Sequence, residues 1–173
     1  EPVALTAEEI DSIVERFVNC AVTCKEAGFN GVQFHSAHGY LLSQFLSPLT
    51  NQREDEWGGR LENRARALIA IVTKTRKVLG ADFPISVKLN SADFQKGGFE
   101  FDDSLTVAKW LADAGVDLLE ISGGTYEQPR LLNLDGVEPI EEQSLARSTL
   151  AREAYLVDFA KAMREKLSIP CLV

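Results

Sequence analysis

The 173-residue sequence has no apolar run near the roughly 20 residues that a membrane-spanning helix needs. Its first residues, EPVALTAEEI, lack the basic start and apolar core of a signal peptide. Lysine and arginine number 18 against 26 acidic residues, which gives a net charge of −8. Because nucleic-acid binding depends on basic side chains that neutralise phosphates, this balance argues against a nucleic-acid-binding protein. These features predict a soluble, cytoplasmic protein that binds neither nucleic acid nor a membrane.

Cysteine and histidine are both scarce. The three cysteines are an odd number and do not form a disulfide framework. Cys20 and Cys24 lie four residues apart in a predicted helix, and no second pair of ligands lies nearby. We therefore interpret them as two small apolar residues on a buried helix face, not as metal ligands. The only two histidines, His35 and His38, stand three residues apart at the end of an apolar run.

Helical and extended patterns alternate along the chain. Apolar residues at three-and-four spacing predict four helices, and the first of them starts with a capping box formed by Thr6 and Glu9. Short apolar runs predict a strand after each helix. The predicted helices are 6–27, 61–79, 103–114 and about 149–167, and the predicted strands lie near 31–35, 84–89, 117–121 and 169–173. Such alternation is typical of a parallel α/β sheet.

Two parallel architectures compete, the doubly wound sheet and the eight-stranded (β/α)8 TIM barrel. The glycine pattern G-x-G-x-x-G of dinucleotide-binding sheets is missing. Polar side chains instead stand at strand ends: His35 after the first strand, Lys88 and Asn90 at the second, Ser122 at the third. This placement is typical of the TIM barrel. A full barrel takes about 250 residues, so we predict that residues 1–173 are a single partial barrel domain, with strands missing on both sides.

The connection after the first strand, residues 36–60, is far longer than the usual two to six residues and predicts a binding or lid element. Its segment GYLLSQFL is amphipathic and predicts a short helix. We expect Arg53 and Asp55 to tie down this loop. The motif LENRARAL that follows should cap a helix and anchor the loop through Glu62, Asn63, Arg64 and Arg66. The sequence does not decide whether Trp57 is a core residue or a subunit contact.

The histidine pair has three interpretations on spacing alone. The first is two histidines satisfied by backbone groups. The second is a metal site, with Asp93 as a further ligand, in a barrel metallohydrolase; such a site needs a third ligand and an open coordination position. The third is two imidazole donors directed at one substrate oxygen, with Tyr40 supplying a proton nearby.

Three segments together resemble the old yellow enzyme family of flavin-dependent ene-reductases (NADH:flavin oxidoreductases). They are GFNGVQFHSAHGYLLSQFLSPLTNQREDEWGGRLENRARAL, ISVKLNSADFQKGGF and LLEISGGTYE, and the resemblance extends from about residue 6 to residue 173. It implies an eight-stranded barrel that holds FMN at its C-terminal mouth and reduces a small-molecule substrate with NAD(P)H as the reductant. The four predicted strands would then be the fourth to seventh of the barrel, and the main residues that bind the FMN phosphate would follow Val173.

The resemblance also implies roles for individual residues. His35 and His38 would hydrogen-bond a carbonyl or nitro oxygen of an activated alkene while hydride passes to its β-carbon. Tyr40 would protonate the α-carbon, since a phenol is ordinarily protonated at neutral pH. Lys88 would bind the cofactor near the pyrimidine edge of the flavin, where many relatives carry an arginine whose planar fork lysine lacks.

Other expectations stay open at this point. Tyr126, after Gly123-Gly124, is either a substrate-binding residue on a closing loop or an ordinary exposed tyrosine. The enzyme interpretation competes with a catalytically incomplete fragment that acts as a structural or interaction module. The unpaired strand edges of an open half-barrel also leave room for a homo-oligomer.

Overall fold

In the computed structural model, described for residues 3–125 and 156–173, one parallel sheet is covered on one face by helices. Its four described strands pair in chain order, and every pair is parallel. The strands are β1 (Val32–Ser36), β2 (Ile85–Asn90), β3 (Leu118–Ser122) and β4 (Cys171–Leu172). Each begins within two residues of its predicted start.

The helices also follow the sequence pattern. They are α1 (Ala7–Glu26), α2 (Leu41–Leu46), α3 (Leu61–Leu79), α4 (Phe101–Asp113) and α5 (156–164). Thr6 caps α1, and its side chain and that of Glu9 satisfy each other's backbone N–H groups, which confirms the predicted capping box. The short helix predicted in GYLLSQFL is α2. The predicted start of the last helix lies outside the described residues.

The expectation for Cys20 is wrong, because its side chain is exposed while Cys24 is only partly buried. The buried stripe of α1 contains Ile10, Val14, Val18 and Ala21. Cys20 immediately precedes Ala21 and so points about 100° away from it around the helix axis. One position in the sequence is enough to move a residue from the core side to the solvent side.

The core lies between the helices and one face of the sheet. Phe34, Val87 and Leu119, from three neighbouring strands, are buried there against apolar residues of the helices. Because side chains alternate along a strand, the residues between them point to the opposite face. That opposite face, which we call the open face, carries Gln33, His35, Lys88 and Glu120. None of the helices in the described ranges is both long enough and apolar enough to cross a membrane.

Candidate active site

The open face brings three ionisable side chains into one row across neighbouring strands. The Cα partner of His35 on β2 is Lys88, and the partner of Lys88 on β3 is Glu120. A barrel interior is usually filled with bulky branched residues. A row of a histidine, a lysine and a glutamate is therefore a marker of chemistry, not of packing.

His35 stands next to both other predicted catalytic side chains. The centre of its ring lies 4.8 Å from that of Tyr40 and 5.2 Å from that of His38, with edge-on geometry in both pairs. The backbone N–H of Ala37 donates a 3.2 Å hydrogen bond to His35 Nδ1. A neutral imidazole whose Nδ1 accepts a bond must carry its proton on Nε2. His35 therefore offers an Nε2–H donor.

His38 is held by residues that follow the neighbouring strands. Its backbone adopts a left-handed conformation, with φ of 62°, which is uncommon for a residue other than glycine. Its N–H donates a 3.2 Å bond to Asn90 Oδ1, and its ring Nε2 lies 2.6 Å from Ser122 Oγ. A single β-bridge with Thr125 fixes the same segment. The loop after β1 is thus attached to the ends of β2 and β3.

Both imidazoles are neutral at neutral pH. Burial lowers the pKa of His35, and the positive charge of Lys88 lowers it further. For His38, burial again comes first as the cause of a lowered pKa, followed by His35 and Lys88. Glu120 opposes both shifts without cancelling them. Each neutral ring has one N–H donor and one lone pair.

Lys88 is paired with a residue that sequence reasoning missed. Its Nζ lies 2.7 Å from Glu120 Oε1, and the side-chain amide of Gln33 donates a 2.8 Å bond to Glu120 Oε2. Burial alone would raise the pKa of Glu120, but the hydrogen bonds from Lys88 and Gln33 outweigh it and leave the pKa below its usual value. The sequence carries one signal for it: in the strand LLEIS, the acidic Glu120 lies between Leu118 and Ser122 at the alternate positions that point to the barrel interior.

Tyr40 occupies the N-cap position of α2, and the side chain is 45% exposed. Its position follows from the chain path, since Gly39 has a φ of 79° and turns the backbone sharply between His38 and the helix. The Gly39 N–H donates to Ser43 Oγ, and the side chain of Gln44 donates to the Gly39 carbonyl. These bonds fix the start of α2 and with it the ring of Tyr40 beside His35.

Asn90 connects the loops around the histidines. Besides accepting from His38, its amide donates to Asp93 Oδ1 (3.0 Å) and to the Gly124 carbonyl (2.9 Å). It is 1% exposed. Its backbone carbonyl accepts from Ser104 Oγ on α4. The sequence predicts Asn90 only as a polar residue at a strand end, and nothing in the sequence indicates these partners.

Asp93, the ligand considered for a metal site, is engaged inside its own loop. Its Oδ1 accepts from Asn90, and its Oδ2 accepts from the Phe99 N–H at 3.0 Å. Over residues 3–125 and 156–173, no three His, Cys, Asp or Glu side chains form a group that could hold a metal ion.

The predicted anchoring of the long loop is confirmed, and Asn63 and Arg66 donate to loop carbonyls. The predicted capping is wrong, because the N-cap residue of α3 is Arg60 and no side chain caps the helix. Arg53 pairs with Asp55 and also donates to the Leu5 carbonyl. Arg64 is buried and donates to the carbonyls of Leu46 and Gly59 and to Asp103 on α4.

Trp57, whose place the sequence left undecided, is buried in a second apolar cluster with Ile10, Phe45 and Ala67. It is therefore a core residue that ties the long loop to α1, α2 and α3.

Of the predicted site residues, His35, His38 and Tyr40 lie together, and Lys88 is the strand neighbour of His35. Tyr126 lies outside the described residues. The structure adds Glu120, Gln33, Asn90 and Ser122 to their surroundings.

Comparisons with known proteins agree on one family. Residues 1–143 match the family model described as the NADH:flavin oxidoreductase / NADH oxidase family. The NADH-dependent flavin oxidoreductase iliE of Neonectria sp. (strain DH2) is 38% identical over 173 residues, which are 99% of this chain and 22% of that protein. The chain thus spans less than a quarter of the length of this curated relative.

Solved structures show the same likeness. In a complex of 2-naphthoyl-CoA reductase with 2-naphthoyl-CoA, 98% of this chain superimposes on 24% of that chain, with a TM-score of 0.80 and 31% identity. An old yellow enzyme homologue from Zymomonas mobilis matches 97% of this chain with 42% of its own, with a TM-score of 0.69 and 25% identity. The predicted fold, part of an α/β TIM barrel, is confirmed.

Proposed function

The chain belongs to the NADH:flavin oxidoreductase / NADH oxidase family, and from this premise we propose that it forms the substrate-polarising part of an FMN-dependent enzyme. The proposed reaction is reduction of an electron-poor C=C bond, as in an enone, with NAD(P)H as the reductant. One observation carries the proposal: the rings of His38 and Tyr40 lie 5.2 and 4.8 Å from the ring of His35.

The open face suits an electron-rich planar ring. Lys88 is about a quarter exposed there and carries a positive charge beside His35. A cation at this place favours a ring that gains negative charge on reduction. Lys88 is therefore the described residue that would contact FMN, whose chemistry when bound is to supply hydride to the substrate's β-carbon. Glu120 offsets part of the lysine charge, so the preference for the anionic form should be weaker than with an unpaired cation.

The two imidazoles would bind the substrate carbonyl oxygen. Negative charge develops on that oxygen as the β-carbon accepts hydride, and donors fixed in advance stabilise this charge. His35 is fixed by the Ala37 N–H, and His38 by Asn90 and Ser122. Because both rings are neutral, they act as hydrogen-bond donors without placing a second and third full charge beside Lys88.

Tyr40 would complete the reaction by donating its phenolic proton to the α-carbon. Tyr40 is 45% exposed, so its proton can be replaced from solvent after each turnover. Hydride arriving at one carbon and a proton at its neighbour together saturate the double bond.

The test uses the complete polypeptide that carries this sequence, supplied with FMN, NADH or NADPH, and cyclohexenone. His35→Ala should lower kcat/KM about 100-fold or more, as expected when a fixed donor is lost, while flavin binding measured by fluorescence quenching is retained. Tyr40→Phe should slow the alkene half-reaction about 100-fold and leave flavin reduction by the nicotinamide unchanged in stopped-flow traces.

Three outcomes would oppose the proposal. Loss of flavin in His35→Ala would mean that this residue binds the cofactor instead of the substrate. Equal slowing of both half-reactions in Tyr40→Phe would remove the proton-donor role. If the unmodified polypeptide neither quenches flavin fluorescence nor reduces cyclohexenone, the structural or interaction module becomes the better interpretation.

A further inference from the structure

We propose that Ser122 is a positioning residue that fixes the tautomer of His38, so that the imidazole proton lies on Nδ1 and faces the substrate. The use of that proton rests on the proposed function. The tautomer itself is a property of this chain and can be measured without any cofactor or substrate.

The hydroxyl of Ser122 is placed by the sheet. Ser122 is the last residue of β3 and the strand partner of Asn90 at the end of β2. Its carbonyl accepts from the N–H of Ser91, at 2.6 Å, which holds the backbone at this point. Asn90 in turn holds the backbone of His38. The 2.6 Å contact between Ser122 Oγ and His38 Nε2 therefore joins two groups whose backbones are already fixed.

The direction of this hydrogen bond follows from counting donors. A neutral imidazole has one N–H, and a serine hydroxyl has one O–H. Within residues 3–125 and 156–173, His38 Nε2 is the acceptor within reach of the Ser122 hydroxyl, and His38 Nδ1 has no protein partner. If the ring donated from Nε2, the serine proton would lack an acceptor in this partly buried place, which is costly. If serine donates, its proton and the Nε2 lone pair satisfy each other, and the ring proton lies on Nδ1, where it is left for another molecule.

The two histidines then have opposite tautomers for the same reason. The Ala37 N–H occupies Nδ1 of His35, which leaves the proton on Nε2. The Ser122 hydroxyl occupies Nε2 of His38, which leaves the proton on Nδ1. In each ring, the protein binds the lone pair and leaves the N–H for another molecule.

Tautomers can be read directly from the unmodified chain. The complete polypeptide that carries this sequence is labelled with ¹⁵N-histidine, and the signals of the two rings are those that disappear in His35→Asn and in His38→Asn. Long-range ¹H–¹⁵N correlation spectra above pH 7 should show the His35 ring protonated on Nε2 and the His38 ring protonated on Nδ1. A His38 ring protonated on Nε2 would overturn the proposal.

Variants of Ser122 separate the effect of its hydroxyl group from the effect of its side-chain volume. Ser122→Ala should shift the His38 tautomer ratio about fivefold toward the Nε2–H form, as expected for loss of one hydrogen bond. Ser122→Thr keeps a hydroxyl and should restore the Nδ1–H form. The matched control is Ser36→Ala, since Ser36 is fully buried on the helix-covered face and its hydroxyl has no protein partner among the described residues.

The expected control result is an unchanged His38 ratio in Ser36→Ala. An unchanged ratio in a folded Ser122→Ala, or an equal shift in the control, would show that Ser122 does not set the tautomer. If Ser122→Ala does not fold, the unmodified chain and Ser122→Thr decide, because both must show Nδ1–H.

Failure here can be told apart from failure of the proposed function. An Nδ1–H ring in a polypeptide that does not reduce cyclohexenone would keep the role of Ser122 and reject the reaction. Normal reduction of cyclohexenone with an Nε2–H ring would keep the reaction and reject the role of Ser122.

Discussion

Replacing Asn90 with alanine removes the side chain that holds His38 in place. Three hydrogen bonds are lost, to the His38 N–H, the Asp93 carboxylate and the Gly124 carbonyl. At about 1 kcal/mol each, their loss costs about 3 kcal/mol of unfolding free energy. Released from the bond, His38 can leave its left-handed conformation, which returns about 1 kcal/mol. The expected net loss is about 2 kcal/mol.

The same release should weaken substrate binding. A backbone preference of about 1 kcal/mol against the φ of 62° would lower the population of the correct ring position about fivefold. Apparent affinity falls with the fraction of molecules in the binding-competent state. We therefore expect KM for cyclohexenone to rise about fivefold in Asn90→Ala.

Asn51 offers a matched control in the long loop. It is 9% exposed, its amide donates to the Phe45 and Trp57 carbonyls at 2.8 Å, and its oxygen accepts from the Arg53 N–H at 3.2 Å. Asn51→Ala thus loses the same number of bonds without releasing a strained residue. It should cost about 3 kcal/mol of unfolding free energy and leave KM unchanged.

Two measurements check this comparison. Urea unfolding followed by tryptophan fluorescence gives the free energies, and steady-state kinetics of the FMN-loaded complete polypeptide give KM. Equal changes of KM in the two variants would mean that general destabilisation, not the position of His38, governs binding. An Asn90→Ala variant with normal KM would refute the role assigned to the Asn90–His38 bond.

Three further predictions follow from the charges and burial. Because the pKa values of His35 and His38 are lowered in the folded chain, the unfolded chain binds more protons than the folded chain at pH values between those pKa values and about 6.5. The unfolding free energy should therefore fall as pH drops through that window and stay level above it. Replacing both histidines with glutamine should flatten this part of the pH curve measured by urea unfolding. Glu120→Gln should lower the pKa of both histidines further, because the Glu120 carboxylate raises them, as followed by NMR titration of the two imidazole C–H signals. Arg64→Ala should cost about 3 kcal/mol because three oxygens lose a buried charged donor, whereas the exposed Arg66→Ala should cost less than about 1 kcal/mol.

Each of these has a contrary outcome. A pH curve that keeps its slope in the double glutamine variant would assign the slope to other groups. Raised histidine pKa values in Glu120→Gln would mean that Lys88 moves away when its partner is lost. Equal costs for the two arginine variants would contradict the anchoring role of Arg64.

Most of the architecture could be predicted because its signals are local. Helix α3 has the bounds that its apolar spacing predicts, and the capping box of Thr6 and Glu9 sets the start of α1. Strand ends follow from short apolar runs and from turns after each helix. The alternation of these elements leaves few parallel arrangements. The family and the histidine pair were likewise visible in contiguous motifs.

The parts of the site that were not predicted join residues far apart in the chain. Lys88 contacts Glu120, His38 contacts Ser122, and Asn90 contacts Gly124. No periodic pattern in the sequence indicates pairs of residues at these separations. The error at Cys20 has a different origin, because the apolar pattern fixes the buried stripe only to within about one residue.

The sequence by itself determined the order of helices and strands, the family, and the group of imidazoles and phenol that follows β1. Only the tertiary structure decided which nitrogen of His38 is occupied and which carboxylate faces the lysine. Local patterns act through the chain's own geometry, whereas these choices depend on the register between parallel strands. That register sets neighbouring side chains within hydrogen-bonding distance, and it exists only once the sheet has formed.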